Sequence, residues 1–163
     1  MKRKKLPALG TAFLVPLRDS GFALGVLARA DGKGSALGYF FGPRVSGADE
    51  VELDSIDPED ALLVGMFGDL ELIKGNWPVV GETEGWSPDR WPIPPMSRID
   101  EKAGRAWLST YDDALRCVNE TEIASAEASR YPYDRLMGAG AAEIRLTKLI
   151  KDAEARGGRP ERG

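Results

Sequence analysis

The chain has 163 residues, the length of one domain, and a chain of this size buries roughly 70% of its unfolded surface without a disulfide or metal. It has no histidine and one cysteine, Cys117, which excludes histidine bases, Ser-His and Cys-His nucleophile pairs, imidazole-ligated zinc, CxxC motifs and an internal disulfide. The net charge of −4 is uneven: Lys2, Arg3, Lys4 and Lys5 give +4, residues 130–163 give +3, and taking these away leaves −11 for residues 6–129, which suits a basic protein partner better than nucleic acid.

Residues 1–7 read as a basic N-terminal tail, 8–156 as a single α+β domain and 157–163 as a loose C-terminal tail. Residues 11–42 predict a three-strand meander. Phe13, Val15 and Leu17 alternate, as do Phe22, Leu24 and Val26, then Leu37, Tyr39 and Phe41. Turns fall at Arg18–Gly21 and at Asp31-Gly32-Lys33-Gly34, where Asp-Gly favours a tight hairpin. Pro16 has no N–H for a ladder and places the first strand at an edge or a bend. Asp49–Asp60 carries seven carboxylates, and its alternation of Val51 and Leu53 with Glu52 and Asp54 allows a half-solvated strand. Leu62–Phe67 is a fourth, buried strand.

Residues 82–104, with four prolines, Trp86 and Trp91, predict a long loop over the sheet. A last hairpin spans Arg105–Tyr111 and Leu115–Val118, and Asn119 with Glu122 allows a short helix over Thr121–Ala128. Ala142, Leu146, Leu149, Ile150 and Ala153 recur at helical spacing and predict a helix over 141–156. The fold class is α+β: a strongly bent antiparallel sheet or small open barrel, with a C-terminal helix packed on it.

Few residues invite catalysis. Glu82 and Glu84 are the best carboxylate pair for glycoside chemistry, although adjacent loop acids are usually solvated. The acidic run lacks the spacing of a calcium loop, and Gly32-Lys33-Gly34 lacks that of a phosphate loop. Gly138-Ala139-Gly140-Ala141 could open an anion site at a helix start, or permit close helix packing. Cys117 reads as core. No catalytic residue, cofactor or metal is assigned. The partner-binding candidates are Asp49, Glu50, Glu52 and Asp54, for charge, with Trp86 and Trp91, which either complete the core or stand as exposed anchors; the surrounding prolines favour anchors.

Several blocks resemble immunity protein family 26 of bacterial polymorphic toxin systems. They are Gly10-Thr11-Ala12-Phe13-Leu14-Val15-Pro16-Leu17, Gly21-Phe22-Ala23-Leu24-Gly25-Val26-Leu27, Leu72-Ile73-Lys74-Gly75-Asn76-Trp77-Pro78-Val79-Val80-Gly81, Trp91-Pro92 and Leu136-Met137-Gly138-Ala139-Gly140-Ala141. The resemblance implies a non-enzymatic inhibitor that binds a cognate toxin domain in the producer's cytoplasm, and the acidic body suits a basic nuclease as that toxin. The alternative is a peptide- or nucleic-acid-binding module that uses an exposed Trp/Pro-rich loop.

Overall fold

The alternating N-terminal stretches pair as the expected meander. In the computed structural model, which describes residues 5–157, β1 (Thr11–Pro16), β2 (Phe22–Ala30) and β3 (Ser35–Val45) run antiparallel. The chain then makes three short 3-10 turns before β4 (Leu63–Gly68), α1 (Leu70–Lys74) and β5 (Val79–Glu82). β6 (Met96–Asp100), β7 (Arg105–Tyr111) and β8 (Cys117–Ile123) follow, then a 3-10 turn at Ser125–Arg130, β9 (Leu136–Met137) and α2 (Ala139–Gly157). The main sheet has the order β5-β1-β2-β3-β4-β9, with only β9 parallel to its neighbour; the second sheet is β6-β7-β8. Neither closes into a barrel. Bulges in the β1–β5 and β2–β3 pairings supply the bend.

Both faces of the main sheet are covered, which explains strands that are apolar on both sides. On one face Phe13, Phe40, Phe67 and Trp77 form a cluster closed by Ala142, Leu146 and Ile150 of α2. Burying Leu146 and Ile150 contributes about 1.5–3 kcal/mol each. On the other face Val26, Leu37, Tyr39 and Phe41 meet Ile56, Trp91 and Met96.

The Gly75-Asn76-Trp77-Pro78 block is a structural device. Gly75 ends α1 in the left-handed conformation at φ 88°, and the N–H groups of Asn76 and Trp77 both donate to the Glu71 carbonyl. That turn drives Trp77 into the core, stacked on Phe13 at 5.9 Å and 8°. Its Nε1 donates to Glu143 Oε2 at 2.9 Å, and the other oxygen of Glu143 pairs with Arg18 at 3.2 Å. α2 is thereby tied to the sheet by polar as well as apolar contacts.

Several expectations need correction. β1 lies inside the main sheet; Pro16 is tolerated because β5 pairs only Thr11–Phe13. Asp49–Asp60 is not a strand but lies within three 3-10 turns, Ala48–Glu50, Leu53–Ser55 and Pro58–Asp60. Side chains here compete with a ladder: Asp57 accepts from the Glu59 N–H at 2.9 Å, and Glu50 from the Ser46 N–H at 2.8 Å. Residues 82–104 are not all loop, since β6 emerges after Pro95 and pairs with β7. The hairpin's second strand runs to Ile123, because Glu122 pairs across it with Arg105 at 2.9 Å instead of capping a helix. The expected helix over Thr121–Ala128 is therefore strand to Ile123, and only its second half is helical, in the 3-10 turn Ser125–Arg130. Cys117 is exposed on the edge strand β8, not in the core. Helix α2 is longer than expected by two residues at its start and one at its end. Most of the two expected tails, residues 1–4 and 158–163, lies outside the described residues.

Arg44 fastens the far end of α2. It makes a two-pronged contact with Glu154 at 2.7 and 2.9 Å and reaches Asp19 at 2.8 Å. The hydrogen bond from Arg44, helped by the Ser20 N–H, lowers the Asp19 carboxyl from 3.8 to about 2. A carboxyl lowered by folding stabilises the fold above its unfolded value and loses that contribution as pH falls through the folded one. We expect the Asp19 carboxyl resonance to titrate with a midpoint near 2, and Arg44→Gln to restore it to about 4. An unshifted midpoint in the parent protein would remove this clamp.

Candidate partner-binding site

The acidic segment is built as a strap, apolar inside and charged outside. Leu53 and Ile56 point into the lower cluster, while Asp49, Glu50, Glu52, Asp54, Glu59 and Asp60 are exposed. The strap is seated by Thr83, whose hydroxyl donates to the Leu53 carbonyl at 3.3 Å, and by Gly81. A Cβ at Gly81 would stand 2.5 Å from Leu53 Cδ1, so no other residue lets the strap lie so close.

Glu82 and Glu84 flank Thr83 and are exposed, so they join Glu52 and Asp54 on either side of the Leu53–Thr83 contact. Among the described residues, none of these carboxylates enters a salt bridge. Acids elsewhere do: Glu120 meets Arg98 at 2.7 Å, and Glu154 meets Arg44. Glu50 is held by the Ser46 N–H and hydroxyl, which lower its pKa and fix it ionised. The structure thus gathers Asp49, Glu50, Glu52 and Asp54 on one strap, and adds Glu82 and Glu84 from a second segment.

The two tryptophans part company with the acids. Trp91 is fully buried, edge-on to Tyr39 at 5.0 Å and to Phe41 at 6.1 Å. It is not an exposed anchor, because the prolines around it fold its segment down onto the sheet instead of holding it out. Trp86 is half-buried against the same cluster. Among the described residues neither indole N–H has an acceptor.

Arg29, on β2, is what holds this loop, and it went unnoticed in the sequence. Only 3% of its side chain is exposed. It donates to the carbonyls of Trp91 at 2.9 Å, Ala28 at 2.8 Å and Pro88 at 3.3 Å, and pairs with Asp113 at 3.0 Å. Its guanidinium also lies 5.4 Å from the centre of the Trp86 ring. Tyr39 adds a bond from its hydroxyl to the Pro92 carbonyl. The available signal was one arginine within the apolar run Val26–Ala30.

The remaining candidates are structural. Gly32-Lys33-Gly34 is the β2–β3 turn, closed by Asp31, which accepts from the N–H groups of Lys33 and Ser35. Gly140 lets Arg18 lie across the start of α2 and donate to its carbonyl. No group of three or more metal-ligating side chains gathers among the described residues, and no helix there is long and apolar enough to cross a membrane.

Fold and surface together define a small α+β domain, open-sheeted and covered on both faces, that presents unpaired carboxylates to solvent. The model of the family described as Immunity protein 26 matches residues 8–108. That is more than half of the chain, which therefore belongs to the Immunity protein 26 family. The match takes in β1 to β6, the acidic strap, the aromatic loop and the first part of β7. Comparison with curated proteins and with solved structures found no match.

Proposed function

We propose that this protein is a non-enzymatic immunity protein: it binds a cognate toxin domain in the cytoplasm of the producing cell and blocks it. Family membership supports the general role. The observation that carries the site is the strap, whose exposed carboxylates have no cationic partner among the described residues. Like charges held this close oppose folding, so their arrangement is best explained by a partner that neutralises them. A basic toxin domain, such as a nuclease, has the complementary charge. The module reading gains no support, because it needs both tryptophan rings free, and Trp91 is buried.

The test is co-expression with the toxin domain encoded beside this chain, scored as rescue of growth. The amide variant D49N/E50Q/E52Q/D54N should keep its stability within about 1 kcal/mol, since these side chains are exposed. It should associate about tenfold more slowly at low salt, with the difference shrinking as salt rises. An unchanged association rate at low salt would take the strap out of the interface. Failure to rescue growth by the parent protein would overturn the toxin-binding reading itself.

A further inference from the structure

The tip of the β2–β3 hairpin, the junction between β4 and α1, and Lys5-Leu6 enclose a cleft of about 880 Å3 that shares no lining residue with the strap. Asp69 lies on its wall, only 6% exposed. Its backbone N–H donates to the Gly34 carbonyl at 3.0 Å. Its carboxylate, although it precedes α1, makes no capping bond; its own backbone N–H is the one donor it has, and no other described residue donates to it or forms a salt bridge with it. Buried carboxylates normally keep donors, because desolvating an unpaired charge costs several kcal/mol.

Burial raises the Asp69 pKa, and the charge of Asp31 raises it further. Asp31 cannot turn away, since its Oδ1 is held by the Lys33 N–H at 2.7 Å and the Ser35 N–H at 3.0 Å. The other charged groups lining the space are Lys5 and Lys33, neither within salt-bridge distance of Asp69. Leu6, Leu70 and Ile73 give the cleft an aliphatic side, and Leu70 is 58% exposed. A largely buried acid with no donor from any other described residue, beside open aliphatic surface, is the complement of a long side chain with an apolar stem and a cationic head.

We propose that this cleft binds a lysine or arginine side chain of a second protein, with the cationic head on Asp69 and the stem along Leu6, Leu70 and Ile73. The inference goes beyond the toxin-binding reading and stands or falls separately from it. Asp69 and two lysines line the cleft and the charge of Asp31 reaches Asp69 from beside it, so the net charge around the site is near zero. Recognition there rests on close contact, and it should depend on salt far less than capture by the strap does.

The test uses the full chain, labelled with nitrogen-15, titrated with N-acetylarginine amide. Saturable shifts are expected at Gly32, Gly34, Gly68 and Asp69, at least tenfold tighter than for uncharged N-acetylnorleucine amide. Asp69→Asn should weaken binding at least tenfold while resonances elsewhere stay in place. Should that variant fail to fold, the Asp69 carboxyl carbon of the parent protein serves instead, and its titration midpoint should fall when the probe is present. Equal binding by the two probes, non-saturating shifts, or an unmoved midpoint would overturn the proposal. So would movement of the cleft resonances in K2Q/R3Q/K4Q without probe, because that would make the chain's own N terminus the occupant.

Discussion

Replacing Trp91 with alanine should lower the unfolding free energy by about 3–5 kcal/mol, the usual cost of deleting a large buried aromatic. The ring fills the centre of the lower cluster, and with it go the edge-on contacts to Tyr39 and Phe41. The space left is bounded by β-strands on one side and by a loop pinned at both Arg29 and Tyr39 on the other, so it cannot easily collapse. Trp86→Ala should cost about 1–2 kcal/mol, because that ring is only half-buried and the main chain around it stays anchored. Denaturant midpoints of the two variants measure the contrast. Equal, small losses would mean that the aromatic loop is not part of the core.

Arg29→Met should cost about 3 kcal/mol and loosen one segment before the rest. Methionine keeps most of the stem volume but leaves the carbonyls of Trp91, Pro88 and Ala28 short of a donor, at about 1 kcal/mol or more each. The salt bridge adds little, since Asp113 is 74% exposed. Arg29→Lys should recover only part of the loss, because a single ammonium cannot reach Ala28 on β2, Pro88 and Trp91 in the loop, and Asp113 together as the planar fork does. Hydrogen exchange should quicken over residues 86–93 in both variants, while the β2–β3 ladder stays protected. Uniform quickening across the main sheet would show that Arg29 supports the fold as a whole and not the loop.

Much of the main sheet was legible because its strands obey two simple rules. Alternation marks Phe13, Val15 and Leu17, and Asp31-Gly32 marks the turn between β2 and β3. The helical period of Ala142, Leu146 and Ile150 places α2 in the same way. Of the second sheet only β7 was legible in full, as Arg105–Tyr111, and the rest escaped for a physical reason. Its edge strand β8 reads Cys-Val-Asn-Glu-Thr-Glu-Ile and is held by cross-strand pairs such as Glu122 with Arg105, not by an apolar face. β6 begins directly after two prolines, where a local reading sees only loop.

The candidate site divides along the same line. The exposure of Asp49, Glu50, Glu52 and Asp54 follows from charge alone. Trp91 depends on where a distant arginine pins its backbone, and Asp69 on three segments meeting at one cleft; neither is visible in local sequence.

The element that covers the aromatic cluster of Phe13, Phe40, Phe67 and Trp77 is made after every strand of the sheet it covers. Until α2 leaves the ribosome, the sheet can form its ladders but one greasy side stays wet. A chain cut short just before Ala139 would carry an intact acidic strap on a body that still exposes four large rings, a species for proteases and aggregation. Nonsense or frameshift mutations just before α2 should therefore remove folded protein as completely as early ones, although every residue of the strap has already been made.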